Sequence, residues 1–141
     1  MAIDEQLIPR PSADRDSAPY WAGLQEHVLL LQRCSDCGRF RWPFRGCCNR
    51  CQSWDFEFVQ ASGYGTVRSW IVVYEAHLPA FRDRTPYVVA LVELAEQEDI
   101  LIPGNFEGDK LPQFGDRVIA NYLDVGSDLS LICWALASDV E

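Results

Sequence analysis

Two C-x-x-C pairs, Cys34-Ser35-Asp36-Cys37 and Cys48-Asn49-Arg50-Cys51, stand ten residues apart in this chain. A tetrahedral cation takes four sulfur ligands at about 2.3 Å, and two tight knuckles joined by a hairpin-length loop supply that geometry. The pattern reads as a zinc ribbon holding one structural Zn2+ on Cys34, Cys37, Cys48 and Cys51. Gly38 follows the first pair, where a sharp turn aims backbone amides at the thiolates. Gln52 holds the equivalent place after the second pair, at a modest backbone cost. Cys47 leaves another register open, because Cys47 and Cys51 would form C-x-x-x-C; we take Cys48 as the ligand. Disulfides suit a Cys-dense secreted chain, and redox chemistry of the thioredoxin kind suits one pair opening a helix after a strand. Neither context is present. Four cysteines also leave the metal no open position, which argues against an independent metalloenzyme.

The rest of the 141 residues, 48% of them apolar, suits one compact domain beside this small appendage. No run of eighteen apolar residues exists, and Met1-Ala2-Ile3-Asp4-Glu5 lacks the basic and apolar regions of a signal peptide. The expectation is a cytoplasmic protein with no membrane association. The formal charge of −9 is uneven: residues 33–50 carry 5 Arg against 1 Asp, whereas residues 51–141 carry 15 acidic and 5 basic groups. A single-strand nucleic-acid module needs a positive groove with stacking aromatics, and the acidic half would repel phosphate. Only the ribbon and one later loop offer an anion a local positive surface.

Residues 1–15, with Pro9 and Pro11, have no apolar periodicity and read as an extended, mobile arm. Asp16 or Ser17 can cap a helix that tolerates Pro19 in its first turn, and Tyr20, Trp21, Leu24 and Val28 recur on one face of it. That face either packs on the chain's own core or docks a partner; Tyr20, Trp21 and Leu24 are the interface residues under the second option. Between the knuckles, arginine alternates with aromatics in Arg39-Phe40-Arg41-Trp42-Pro43-Phe44-Arg45. The aromatics either cover the metal site under the Arg stems, or they stack and pair with a phosphorylated, adenine-bearing ligand. From Trp54 the pattern becomes short period-two strands between turns. Five or six such strands without a crossover helix make a small antiparallel barrel, with the OB-fold as its model. A long loop, Glu75 to Thr85, carries His77, Phe81, Arg82 and Arg84 and leads into Tyr87. Cys133 reads as a buried apolar thiol. The expected division is 1–29 arm and helix, 30–54 zinc ribbon, and 55–141 barrel.

Several features then fall into one order: Pro19-Tyr20-Trp21-Ala22-Gly23-Leu24, Leu31-Gln32-Arg33-Cys34, Trp42-Pro43, Cys48-Asn49-Arg50-Cys51, Ser62-Gly63-Tyr64-Gly65-Thr66-Val67, and Pro86 to Leu94. The series resembles the DUF35 family over residues 16–137, with Phe44, Asn49 and Gln52 as departures from its pattern. The resemblance implies a mainly β protein with an N-terminal helical segment, a rubredoxin-like zinc ribbon and an OB-fold. It implies an accessory role rather than a catalyst, in a heteromer with a thiolase-like enzyme acting on a carbon–carbon bond of a CoA thioester. A lipid-transfer-protein-like acyl-CoA aldolase or a hydratase is the alternative partner. The CoA portion would meet Arg39, Arg41, Trp42 and Arg45 of the ribbon, and His77, Phe81, Arg82, Arg84 and Tyr87 of the barrel loop. No catalytic residue is expected.

Overall fold

The computed structural model describes residues 7–141; residues 1–6 of the expected arm lie outside the described residues. The chain runs α1 (Ala18–Gln25), β1 (Leu30–Cys34), β2 (Phe40–Arg41), β3 (Phe56–Gln60), β4 (Tyr64–Val73), α2 (Pro79–Arg82), β5 (Tyr87–Leu94), β6 (Leu101–Glu107), β7 (Arg117–Asp124), β8 (Ser130–Leu136) and α3 (Ala137–Val140). Among the described residues no helix is long and apolar enough to cross a membrane.

Two sheets result. β2-β1-β3 form an antiparallel ribbon sheet, and β4-β5-β6-β8-β7 close into a barrel. All the barrel pairs are antiparallel except β6 with β8, and this order with one parallel closing pair is that of a five-stranded OB barrel. Gly65 lies where β4 packs tightly on β5: a Cβ there would meet the Glu93 carbonyl oxygen and Val92 at 2.5 Å. Pro103 does not break β6, since β8 joins that strand only from Asn105 onward and a missing N–H is tolerated on an unpaired edge.

One strand departs from the expected division. Phe56–Gln60, assigned from sequence to the barrel, pairs along its whole length with β1. A five-residue run with alternating Phe fits either sheet, and the ribbon needs a third strand to cover β1. The ribbon sheet therefore reaches residue 60 rather than 54.

The helix begins one turn after a capping box. The Ser17 amide donates to Asp14 Oδ1 at 2.7 Å, and the Asp14 amide donates to Ser17 Oγ at 3.1 Å. Asp14, not Asp16 or Ser17, supplies the side-chain cap. The helix ends in a Schellman motif, with Val28 N–H bonded to the Gly23 carbonyl at 2.8 Å and His27 N–H to that of Leu24 at 3.0 Å. His27 occupies the left-handed position at φ 56°, where glycine is usual. It is held by stacking on Tyr122, 5.0 Å between centroids, and by a 2.9 Å contact to Asp124.

The helix, the ribbon and the barrel share one core. Tyr20, Leu24, Leu29 and Leu31 are continuous with Val67, Val92, Ile102, Val118 and Trp134 inside the barrel. Tyr20 is 4% and Leu24 0% exposed, so these two are not surface docking residues: the barrel already covers the apolar face. The segment before the helix is also tied down. Ile8 is buried with Ala80, Val125 and Leu129, and Arg10 pairs with Asp128 at 2.8 Å. The expected mobile arm is, from residue 7 onward, a strap across the barrel.

Candidate functional site

The four ribbon cysteines converge. Their sulfurs all lie within 4.8 Å of one another, with Cys34 to Cys51 at 3.5 Å and Cys37 to Cys48 at 3.7 Å. A tetrahedron with metal–sulfur bonds of about 2.3 Å has edges of about 3.8 Å, whereas a disulfide would bring two sulfurs to about 2.05 Å. The donor set fits a structural zinc ion. The knuckles are a matched pair: Gly38 N–H bonds to the Cys34 carbonyl at 3.0 Å and Gln52 N–H to that of Cys48 at 2.9 Å, with φ of 75° and 65°. Gln52 thus adopts the strained conformation that Gly38 adopts freely. Backbone amides of Cys51 and Arg50 pull the Cys48 thiol down to about 6, and the amide of Cys37 lowers that of Cys34. The Ser53 amide pulls Cys51 the same way, but burial and the three neighbouring sulfurs outweigh it and push Cys51 up to about 12. Four thiolates cannot ionise together unaided, and a dication removes that repulsion. Cys47 faces the carbonyls of Cys48 and Gln52 instead, and Cys133 is buried on β8.

Between the knuckles the chain is held by two side-chain amides, one buried and one half-buried. Gln32, 0% exposed, accepts at Oε1 from Arg41 Nε and the Arg45 amide, both at 3.1 Å, and donates from Nε2 to the Arg45 carbonyl at 2.8 Å. That carbonyl also accepts from Arg41 Nη2 at 3.0 Å, and the Arg41 guanidinium lies 5.4 Å from the centre of the Phe56 ring. Gln97, from the β5–β6 turn, serves β2 as a surrogate strand: it accepts from the Phe40 amide at 3.0 Å and donates to the Phe40 carbonyl at 2.9 Å. Arg39 pairs with Asp99 beside it. Neither Gln32 nor Gln97 stands out in the sequence, yet Gln32 ties the ribbon loop to β1 and Gln97 ties β2 to the barrel.

This docking leaves a cavity of about 610 Å³ where the strap, α1, the ribbon loop, the α2 loop and the barrel strands meet. Its walls include Trp21, Trp42, Phe44, Phe81, Tyr87, Val89, Ile102 and Leu131. Among the described residues, Arg84 is its one basic residue and Asp14 its one acidic residue. The Arg84 guanidinium sits 5.6 Å from the centre of the Phe81 ring, which leans on Tyr87 at 5.9 Å. Cys133 reaches the wall, and burial pushes its thiol up to about 12.

Of the residues expected to meet CoA, Trp42, Phe81, Arg84 and Tyr87 come together around this cavity. The others do not. Arg41 is 3% exposed and held by Gln32, so it is a structural residue. Arg39, Arg41 and Arg45 border a separate hollow of about 40 Å³, next to Asp99. His77 and Arg82 are exposed outside the cavity, Arg82 donating to the His77 carbonyl at 3.2 Å. Trp21, expected at an interface, is half-buried in the cavity wall.

Residues 21–57 match the family model of the ChsH2 rubredoxin-like zinc ribbon domain, and residues 58–122 that of the ChsH2 C-terminal OB-fold domain. The chain is 38% identical over 128 residues to a probable enoyl-CoA hydratase alpha subunit of Thermomonospora curvata, covering 89% of this chain and 39% of that protein. It is 36% identical over 135 residues to the 3-oxo-4,17-pregnadiene-20-carboxyl-CoA hydratase alpha subunit of Mycobacterium tuberculosis, covering 94% and 41% respectively. It thus spans about two fifths of the length of these curated relatives. Among solved structures, a chain of the Ltp2-ChsH2(DUF35) aldolase superposes with a TM-score of 0.81 at 37% identity, covering 91% of this chain and 99% of that one. With both halves of the architecture matched in order and the metal-site cysteines assembled, the chain belongs to the ChsH2-type DUF35 family of zinc ribbon and OB-fold proteins.

Proposed function

We propose that this protein is a non-catalytic accessory subunit of an acyl-CoA aldolase or hydratase of the lipid-transfer-protein-like kind, and that it holds part of the thioester substrate for a catalytic partner. The observation that carries this reading is the cavity at the meeting of helix, ribbon and barrel, which gathers Trp42, Phe81, Arg84 and Tyr87 from segments far apart in sequence. Cys133, the one cysteine of the wall among the described residues, is unsuited to attack, because a thiol raised to about 12 carries almost no thiolate at neutral pH. The reacting acid, base or nucleophile then belongs to the partner.

Relatives named as hydratase alpha subunits and as part of an aldolase support that class of partner. The thiolase partner that the sequence put first gives way to it here, since those names carry acyl-CoA hydration and aldol chemistry. Arg45 and Arg82, exposed and without a carboxylate partner among the described residues, stay candidates to meet CoA phosphates in this reading, with Arg84 at the cavity. None of the six cysteines is in a disulfide, which suits the reducing cytoplasm proposed as its location.

The test is to identify the enzyme that copurifies with the untagged protein and to mix the two purified subunits. Light scattering should show a heteromer at micromolar concentration, and aldolase or hydratase turnover should need both chains. Turnover by this chain alone, or full activity and affinity of the partner without it, would reject the reading.

A further inference from the structure

We infer that the small hollow between the ribbon loop and the β5–β6 turn binds one tetrahedral oxyanion, a phosphate group, which balances the buried charge of Arg41. This site is independent of the acyl-CoA reading above. Arg41 is 3% exposed, and no ion pair among the described residues includes it. A guanidinium taken out of water is costly without a full negative charge beside it. Its contacts supply partial charges instead. Nε donates to Gln32 Oε1, Nη2 donates to the Arg45 carbonyl, and the guanidinium lies over the Phe56 ring. The planar fork is thereby used along one edge. Nη1, on the other edge, is buried and has no hydrogen-bond partner among the described residues.

Arg41 is one wall of the hollow of about 40 Å³, with Arg39, Arg45, Asn49 and Asp99 among the others. Asp99 does not supply the missing charge. One oxygen of its carboxylate takes Arg39, and the other accepts from Gln97 Nε2 at 2.6 Å. Arg45 joins the Gln32 network through its backbone, which leaves its exposed guanidinium free to turn toward the hollow beside the exposed Asn49 amide. With Arg39 matched by Asp99, two positive charges remain around the space, the complement of a phosphate dianion. The donors come from β2, the ribbon loop and the second knuckle. Three directions suit the oxygens of a tetrahedral anion better than the two coplanar oxygens of a carboxylate. A water molecule needs about 10–15 Å³, so the hollow takes a group of phosphate size and excludes an adenine ring. Bound there, the anion ties β2 to the second zinc knuckle.

The experiment titrates the full zinc-loaded chain with inorganic phosphate at constant ionic strength, by calorimetry and by the rise in Tm, with acetate and chloride as controls. Phosphate should bind saturably at one site per chain and raise Tm where the controls do not. Zinc content after each titration shows that the metal has stayed in place. Arg41 is kept, because it also holds the ribbon loop. Arg45→Gln should weaken phosphate by about tenfold to a hundredfold, the effect of losing one charge-assisted contact, and Asn49→Ala should weaken it less. Lys110→Gln, at an exposed position outside the walls of the hollow, should leave the affinity unchanged. Competition with 3′-AMP distinguishes the sources of the group: displacement shows that the terminal phosphate of a larger ligand enters, failure to displace assigns the site to free phosphate, and either supports an oxyanion site. A response matched by acetate or chloride overturns it, as does unchanged phosphate affinity in both Arg45→Gln and Asn49→Ala.

Discussion

Gln32→Leu should destabilise this protein far more than a surface amide would. The side chain is 0% exposed and satisfies three groups of the ribbon loop: Arg41 Nε, the Arg45 amide and the Arg45 carbonyl. A hydrogen bond to a charged group is worth about 1.5–3 kcal/mol and a neutral one about 0.5–1.5 kcal/mol. Leucine removes one of the former and two of the latter, and leaves the 3%-exposed Arg41 guanidinium with the Arg45 carbonyl as its remaining partner. The expected loss is about 3–5 kcal/mol, which for a chain of 141 residues lowers Tm by about 10–15 °C. Gln32→Glu keeps an acceptor for Arg41 and for the Arg45 amide, so its loss should be clearly smaller. Both variants are compared by urea denaturation with zinc saturating, because metal loss would otherwise be mistaken for loss of the amide. A cost below about 1 kcal/mol for Gln32→Leu would show that the loop is held by the metal and the aromatic contacts alone.

Metal analysis should find one zinc per chain in Cys47→Ser and none in Cys48→Ser; the reverse result would move the second knuckle to the other register. The Asp124 carboxyl is held below its ordinary value by Ser130 and then by His27. A depressed carboxyl contributes stability above its unfolded value of about 3.9 and loses it as pH falls through the folded value. Asp124→Asn should therefore be less stable than the parent at pH 7, and the gap should close in acid below about pH 4; a gap independent of pH would assign the effect to packing against His27.

The metal site was legible because coordination chemistry acts through spacing: two C-x-x-C pairs and Gly38 specify sulfur positions almost without reference to the rest of the chain. Most strands were legible for a similar reason, since Tyr87–Leu94 is a short, nearly continuous apolar run with three valines. What spacing does not carry is the identity of the partner surface. Phe56–Gln60 suits either sheet by composition, and only its pairing with β1 assigns it to the ribbon. Tyr20 and Leu24 announce an apolar face, but that face could have met another subunit before the barrel was seen to cover it. Arg41 looks like a ligand cation because nothing in sequence marks Gln32, nine residues earlier, as its buried acceptor. The cavity has no sequence signature, as its walls come from segments between Ile8 and Cys133.

The ribbon's metal and the barrel's cavity are coupled through the ten residues between the knuckles. That segment is anchored at Cys37 and Cys48 by the cation and in its middle by Gln32 and Gln97, and Trp42, Pro43 and Phe44 project from it to form one wall. A ribbon of this size has too little apolar surface to fold without its ion. Removing zinc should therefore dismantle that wall while β4 to β8 keep their own pairing and the core around Val92, Ile102 and Trp134. Linkage makes the effect reciprocal: if the zinc-free chain binds an acyl-CoA thioester more weakly by some factor, the thioester must raise the affinity for zinc by the same factor. Chelator titrations with and without ligand measure that factor directly. Equal zinc affinity in the two titrations, for a ligand known to bind, would show that the ribbon wall is not part of the binding surface.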